Sequence, residues 1–120
     1  MATRSATASA RVRRSQTHAG RILLRDFIRP NGLNANAVAR ACGVAAARMY
    51  AICEGRHGIS PDIAVRLGRY FGVDPHWWLE CQANFDVNRV CSSKGAQIRL
   101  IKPLRGAKRN GAPRRSAGSC

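Results

Sequence analysis

The strongest constraint on this 120-residue chain is Gly43, a glycine set between two short segments whose apolar residues recur at helical spacing. The first segment opens at Asn34, whose side-chain oxygen can cap a helix, and turns Val38, Ala39 and Cys42 inward. Gly43 then supplies a left-handed turn at no steric cost. The second segment, Ala45 to Cys53, turns Met49 and Ile52 inward and ends near Gly55. Val38, Cys42, Val44, Met49 and Ile52 seal the two helices against each other and the core, and Ala39 is small enough for a close crossing. Two ordinary helices around a glycine turn would meet only some of these seven requirements.

Three further helices are legible around this pair. Gly20 to Arg29 carries Ile22, Leu23, Phe27 and Ile28 on one stripe and stops at Pro30 and Asn31-Gly32. Ser60-Pro61-Asp62 joins a cap, a proline at the first helical position and a first-turn acid, opening a helix that ends at Gly72. Asp74-Pro75 repeats that opening, for a fifth helix running to about Asn88.

Charge is distributed unevenly. Lys and Arg number 21 against six acids, a formal net charge of +15, so the natural partner is a polyanion. All six acids (Asp26, Glu54, Asp62, Asp74, Glu80, Asp86) lie between His18 and Cys91, beside nine arginines. Four arginines precede residue 18 and eight basic residues follow residue 91, with no acid in either stretch. Such acid-free runs rich in Ser, Ala and Gly bury too little apolar surface to offset chain entropy. The expected organisation is a disordered basic arm over 1–17, one folded domain over 18–91 and a basic tail over 92–120.

Several functions are disfavoured. Cys42, Cys53, Cys81, Cys91 and Cys120 form no C-x-x-C pair and are odd in number, which argues for reduced thiols rather than a zinc site or disulfide framework. The three histidines have no metal-ligand spacing, and no H-E-x-x-H, phosphate loop or nucleophile–base pair occurs. We expect no enzyme activity, cofactor or metal. No apolar run reaches the roughly 20 residues of a membrane span, so a cytoplasmic protein without membrane association is expected. The alternative for the Arg- and Ser-rich start is an organelle transit peptide.

From His18 to about residue 90 the chain resembles the HigA-type antitoxins, within the larger Xre/Cro group of helix-turn-helix regulators. The likeness is carried by His18-Ala19-Gly20-Arg21-Ile22-Leu23, Gly32-Leu33-Asn34, Asn36-Ala37-Val38-Ala39-Arg40-Ala41 and Cys42-Gly43-Val44. It continues in Gly58-Ile59-Ser60, Ala64-Val65-Arg66-Leu67, Arg69-Tyr70-Phe71-Gly72 and Trp77-Trp78-Leu79-Glu80-Cys81-Gln82-Ala83. Ile98 to Pro103 is similar to a short closing segment of the family, which marks 96–104 as the candidate for order within the tail. The resemblance implies an all-α, five-helix, lambda-repressor-like domain. It also implies a homodimer that represses its own operon at an inverted-repeat site in double-stranded DNA and neutralises a small basic ribonuclease toxin.

Carried onto this sequence, the DNA-facing residues are Asn36, Arg40, Ala46, Ala47, Arg48, Tyr50, Ala51 and Arg56. Ala35 stands where the family commonly has a phosphate-contacting Gln, and the outward positions of the third helix are rich in alanine. Alanine can meet a thymine methyl but cannot read a donor–acceptor pattern, so base readout falls mainly on Tyr50, with Arg48 at a flank. The alternative for Tyr50 is packing against the turn; for Arg40, Arg48 and Arg56 it is simple solvation. Trp78, Leu79, Cys81 and Phe85 are assigned to a dimer interface on the fifth helix, with core packing as the alternative. Two functions stay open: the antitoxin, and a solitary or weakly selective DNA-binding protein. A +15 protein meets long-range repulsion from a basic toxin, which favours the second.

Overall fold

The computed structural model describes residues 17–113. Among these, five helices and no strand occur: α1 (Ala19–Leu23, continued by a π-helical segment Leu24–Ile28), α2 (Ala35–Cys42), α3 (Ala46–Cys53), α4 (Pro61–Phe71) and α5 (Pro75–Ile98). The expected arm lies outside the described residues except for Thr17, as does the end of the C-terminal tail from residue 114.

The first helix departs from a regular α-helix. The amides of Arg29 and Leu33 donate to the carbonyls of Leu24 and Ile28, five residues back, at 3.0 Å each. In an uninterrupted α-helix Leu23 and Ile28 would point roughly 140° apart; the wider π-turn lets both be fully buried. His18 caps the helix, its Nδ1 accepting from the Gly20 amide at 2.9 Å.

Helices α2 and α4 begin and end where their caps dictate. Asn34 Oδ1 accepts from the Ala37 amide at 2.8 Å and Ser60 Oγ from the Ile63 amide at 3.3 Å. Gly43 and Gly72 close α2 and α4 at φ of 70°. The core gathers Ile22, Leu23 and Ile28 of α1, Val38 of α2, Met49 and Ile52 of α3, Leu67 of α4 and Trp78 of α5.

Helix α5 runs ten residues past its expected end, through the boundary at residue 91 and into the 96–104 segment. No proline interrupts it before Pro103, and Ser93 satisfies its hydroxyl within the helix by donating to the Arg89 carbonyl at 3.0 Å. The helix crosses the division between two compact units, which falls between Asp86 and Val87. Cys42, Cys53 and Cys81 are free and buried. Cys91 is disulfide-bonded, so the expectation of five reduced thiols fails there.

Candidate nucleic-acid interface

Helices α2 and α3 meet at a turn held from three sides. The amide of Val44 donates back to the Ala39 carbonyl at 2.9 Å, and Gly43 takes the left-handed conformation that closes α2. From α4, Arg66 donates to the Cys42 carbonyl at 2.8 Å while its Nε pairs with Asp62 at 3.1 Å. A guanidinium at this helix C-terminus satisfies a carbonyl that the helix leaves open and meets the negative end of its dipole. The sequence signal for this contact, Asp62 four residues before Arg66, reads only as a helix-surface pair.

With the turn fixed, α3 presents two faces. Met49 and Ile52 are fully buried, while Ala47, Arg48 and Tyr50 are exposed, Tyr50 by 46%. Ala46 is partly buried at the start of the helix. Ala51 does not belong to the exposed face: it is only 4% exposed. Its carbonyl accepts from the amides of Arg56 and His57 in the turn after α3, at 2.8 and 3.3 Å. Asn36 is partly buried on α2, and Arg40 and Arg56 are exposed, Arg56 pairing with Glu54. The structure therefore leaves Ala47, Arg48 and Tyr50 exposed on α3, and Arg40 and Arg56 exposed beside it.

The residues assigned to a dimer interface are largely occupied within the subunit. Trp78 is fully buried, its ring 4.8 Å from Phe27 and 5.0 Å from Trp77 between centroids. Cys81 is buried and Leu79 packs partly against the core. Phe85 is half-buried and meets the His18 ring edge-on at 5.1 Å. Phe27 packs against both Trp77 and Trp78, at 5.8 and 4.8 Å between centroids, a contact with the first helix that the helix-five pattern alone does not show. Exposed apolar side chains on α5 lie further along, at Val87 and Val90.

Burial pushes the Cys42 thiol up, partly opposed by the nearby Arg66 charge, and it also raises Cys53, with Glu54 adding to the effect. Both therefore pack as neutral thiols. Among the described residues no group of His, Cys, Asp or Glu is arranged to hold a metal ion, and no helix is long and apolar enough to cross a membrane.

Two residues escaped the sequence reading. Gln82 is 8% exposed, accepts the Ile59 amide at 3.0 Å and donates to Asp86 at 3.0 Å. Gly20 lies against the backbone of Ile52. Neither gives a sequence signal beyond its presence in a matching string.

Residues 8–77 match the family model described as a helix-turn-helix domain. Virulence-associated protein I of Dichelobacter nodosus is 39% identical over 93 residues, covering 78% of this chain and 85% of the relative. The Pseudomonas aeruginosa antitoxin HigA, solved with the higBA promoter, superposes with a TM-score of 0.71 at 34% identity. That match covers 74% of this chain and 98% of the other. The antitoxin GraA in complex with its operator gives a TM-score of 0.70 at 35% identity, over 73% of this chain and 90% of GraA. The chain belongs to the helix-turn-helix domain family and, within it, to the HigA-type antitoxins of the Xre/Cro group.

Proposed function

We propose that this protein is a sequence-specific repressor that binds an inverted-repeat operator in double-stranded DNA and serves as the antitoxin of a toxin–antitoxin module. The observation that carries the reading is the division of α3 into a sealed face and an open one, with Tyr50, Arg48 and Ala47 outward. Solved relatives of the same fold are complexes with promoter or operator DNA. In this reading α3 enters the major groove, Tyr50 reads base edges, and Arg48 contacts a flank. Asn36, Arg40 and Arg56 contact phosphates, with Ala46 and Ala47 meeting thymine methyls. Ala51 is left out because it is buried.

A two-fold dimer sets two such helices about 34 Å apart, one turn of DNA. Its apolar contact is assigned to the second half of α5, where Val87 and Val90 are 56% and 45% exposed. The partner to be neutralised is a small ribonuclease toxin, both proteins residing in the cytoplasm. The reading assigns the chain no catalysis and no cofactor.

The alternative is a solitary regulator or a weakly selective basic DNA-binding protein, without a toxin partner. It is favoured by the alanines on the outer face of α3, which carry no hydrogen-bonding side chain, and by the +15 charge. The deciding experiment pairs footprinting of the DNA upstream of the gene with co-expression of the neighbouring reading frame. Protection of an inverted repeat together with rescue from the neighbour's toxicity supports the antitoxin. Protection without rescue supports the solitary regulator, retardation of any duplex without a discrete footprint supports the weakly selective binder, and no DNA binding at all refutes every one of these readings.

A further inference from the structure

Among the described residues the buried polar or charged side chains are His18 and Gln82, and both serve the same short segment, the turn that leaves α3. This turn runs from Glu54 to Ile59 and exposes Arg56, His57 and Gly58. Its near end is tied to Ala51, whose carbonyl accepts from the amides of Arg56 and His57. Its far end is tied to α5, where Gln82 Oε1 accepts the Ile59 amide. A Cβ on Gly58 would lie 3.2–3.5 Å from the Gln82 amide group, so backbone and amide are in close contact. Under the start of the turn sits His18, whose Cγ and Cβ lie 3.7 and 3.8 Å from a Cβ built on Gly55 and whose ring meets Phe85 edge-on.

Gln82 is in turn oriented by Asp86, which accepts from Nε2 at 3.0 Å. That second bond decides which end of the amide faces the turn. With Nε2 committed to a carboxylate, Oε1 is the atom presented to the Ile59 N–H, which would otherwise be a buried, unpaired donor. An apolar side chain in this place could fill the volume but could not hold the backbone at one height.

We propose that Gln82 is a positioning residue for DNA binding: through the Ile59 amide it fixes the turn after α3 so that Arg56 and His57 meet the phosphate backbone beside the recognition helix. The assignment rests on the DNA-binding reading above. Gln82 itself touches no DNA; it acts by holding the turn at the height from which Arg56 reaches a phosphate, so that losing the clamp loses the contact. Phosphate contacts position a protein without reading sequence. Loss of the clamp therefore weakens binding to every duplex alike and leaves sequence preference in place.

The test uses the full chain and measures duplex affinity by fluorescence anisotropy at four salt concentrations, on the upstream DNA and on a scrambled duplex. Gln82→Met keeps volume and removes both hydrogen bonds. The expected result is a loss on the order of three- to tenfold on both duplexes. The salt dependence becomes shallower by about one phosphate contact. Combining it with Arg56→Gln adds little, because both changes remove the same contact. Should Gln82→Met melt near the assay temperature, the pair Asp86→Asn and Asp86→Ala carries the test. Both remove the charge, and only Asn retains an acceptor for Nε2, so the Ala variant binds more weakly and the Asn variant keeps the parent's salt slope. Wild-type binding with an unchanged salt slope in Gln82→Met, or equal affinities for the Asp86 pair, overturns the role of Gln82 alone. A wild-type chain that binds neither duplex refutes the underlying DNA-binding reading instead.

Discussion

A Cβ placed on Gly20 would lie 1.6 Å from the carbonyl oxygen of Ile52, so α1 and α3 touch backbone to backbone. The recognition helix is thereby seated on the first helix at a point where no side chain fits. A helical Gly→Ala substitution ordinarily gains about 1 kcal/mol of propensity. Here that gain is overwhelmed, because the clash is with a carbonyl rather than a movable side chain. Gly20→Ala is expected to destabilise the domain by about 3 kcal/mol or more, beyond the usual cost of overpacking. Urea denaturation measures this; a variant as stable as the parent would show that the two helices can separate freely.

Trp78 belongs to the core of the subunit, and its substitution is expected to cost folding rather than association. Trp78→Ala should destabilise by about 3–5 kcal/mol, as large-to-small core changes do. Trp78→Phe should cost much less, because the indole Nε1 is buried with no hydrogen-bond partner among the described residues and its removal relieves a desolvation penalty that offsets part of the lost packing. Denaturation with sedimentation velocity separates the outcomes. A stably folded, monomeric Trp78→Ala would restore this residue to a dimer interface.

The start of α5 carries a small pH dependence. Asp74 is held below its ordinary value of 3.8, chiefly by accepting the His76 amide at 2.9 Å and then by its bond to the His76 ring. A carboxylate with a depressed folded pKa stabilises fully above its unfolded value, and this stability is lost as pH falls through the folded value. Asp74→Asn keeps a capping oxygen but does not titrate. Its melting temperature should fall less than the parent's between pH 5 and about pH 3. Parallel curves would remove Asp74 from the acid response.

The fold was legible where local chemistry decides it. Asn34, Gly43, Ser60-Pro61 and Gly72 mark helix ends through caps and positive φ, and the structure places the ends of α2 and α4 there. The apolar spacing of Met49 and Ile52 likewise separated the sealed face of α3 from most of the open one. Long-range contacts were not legible. That Phe27 packs on Trp78, that Ala51 is buried, and that Gln82 reaches Ile59 depend on how the elements meet, which periodicity does not encode. The extension of α5 to Ile98 was hidden because composition argues about burial, whereas a helix without a proline can run on beyond its buried part.

The central claim is that the open face of α3 reads DNA sequence, and Tyr50 tests it most directly. Tyr50→Ala removes an exposed side chain that the core does not use, so the fold should persist. Affinity is measured by fluorescence anisotropy for the upstream inverted repeat and for a scrambled duplex of equal length at one salt concentration. The account predicts that the substitution reduces the preference for the inverted repeat by about 1–3 kcal/mol and leaves affinity for the scrambled duplex nearly unchanged. Equal losses on both duplexes, or a parent protein with no preference between them, would contradict it.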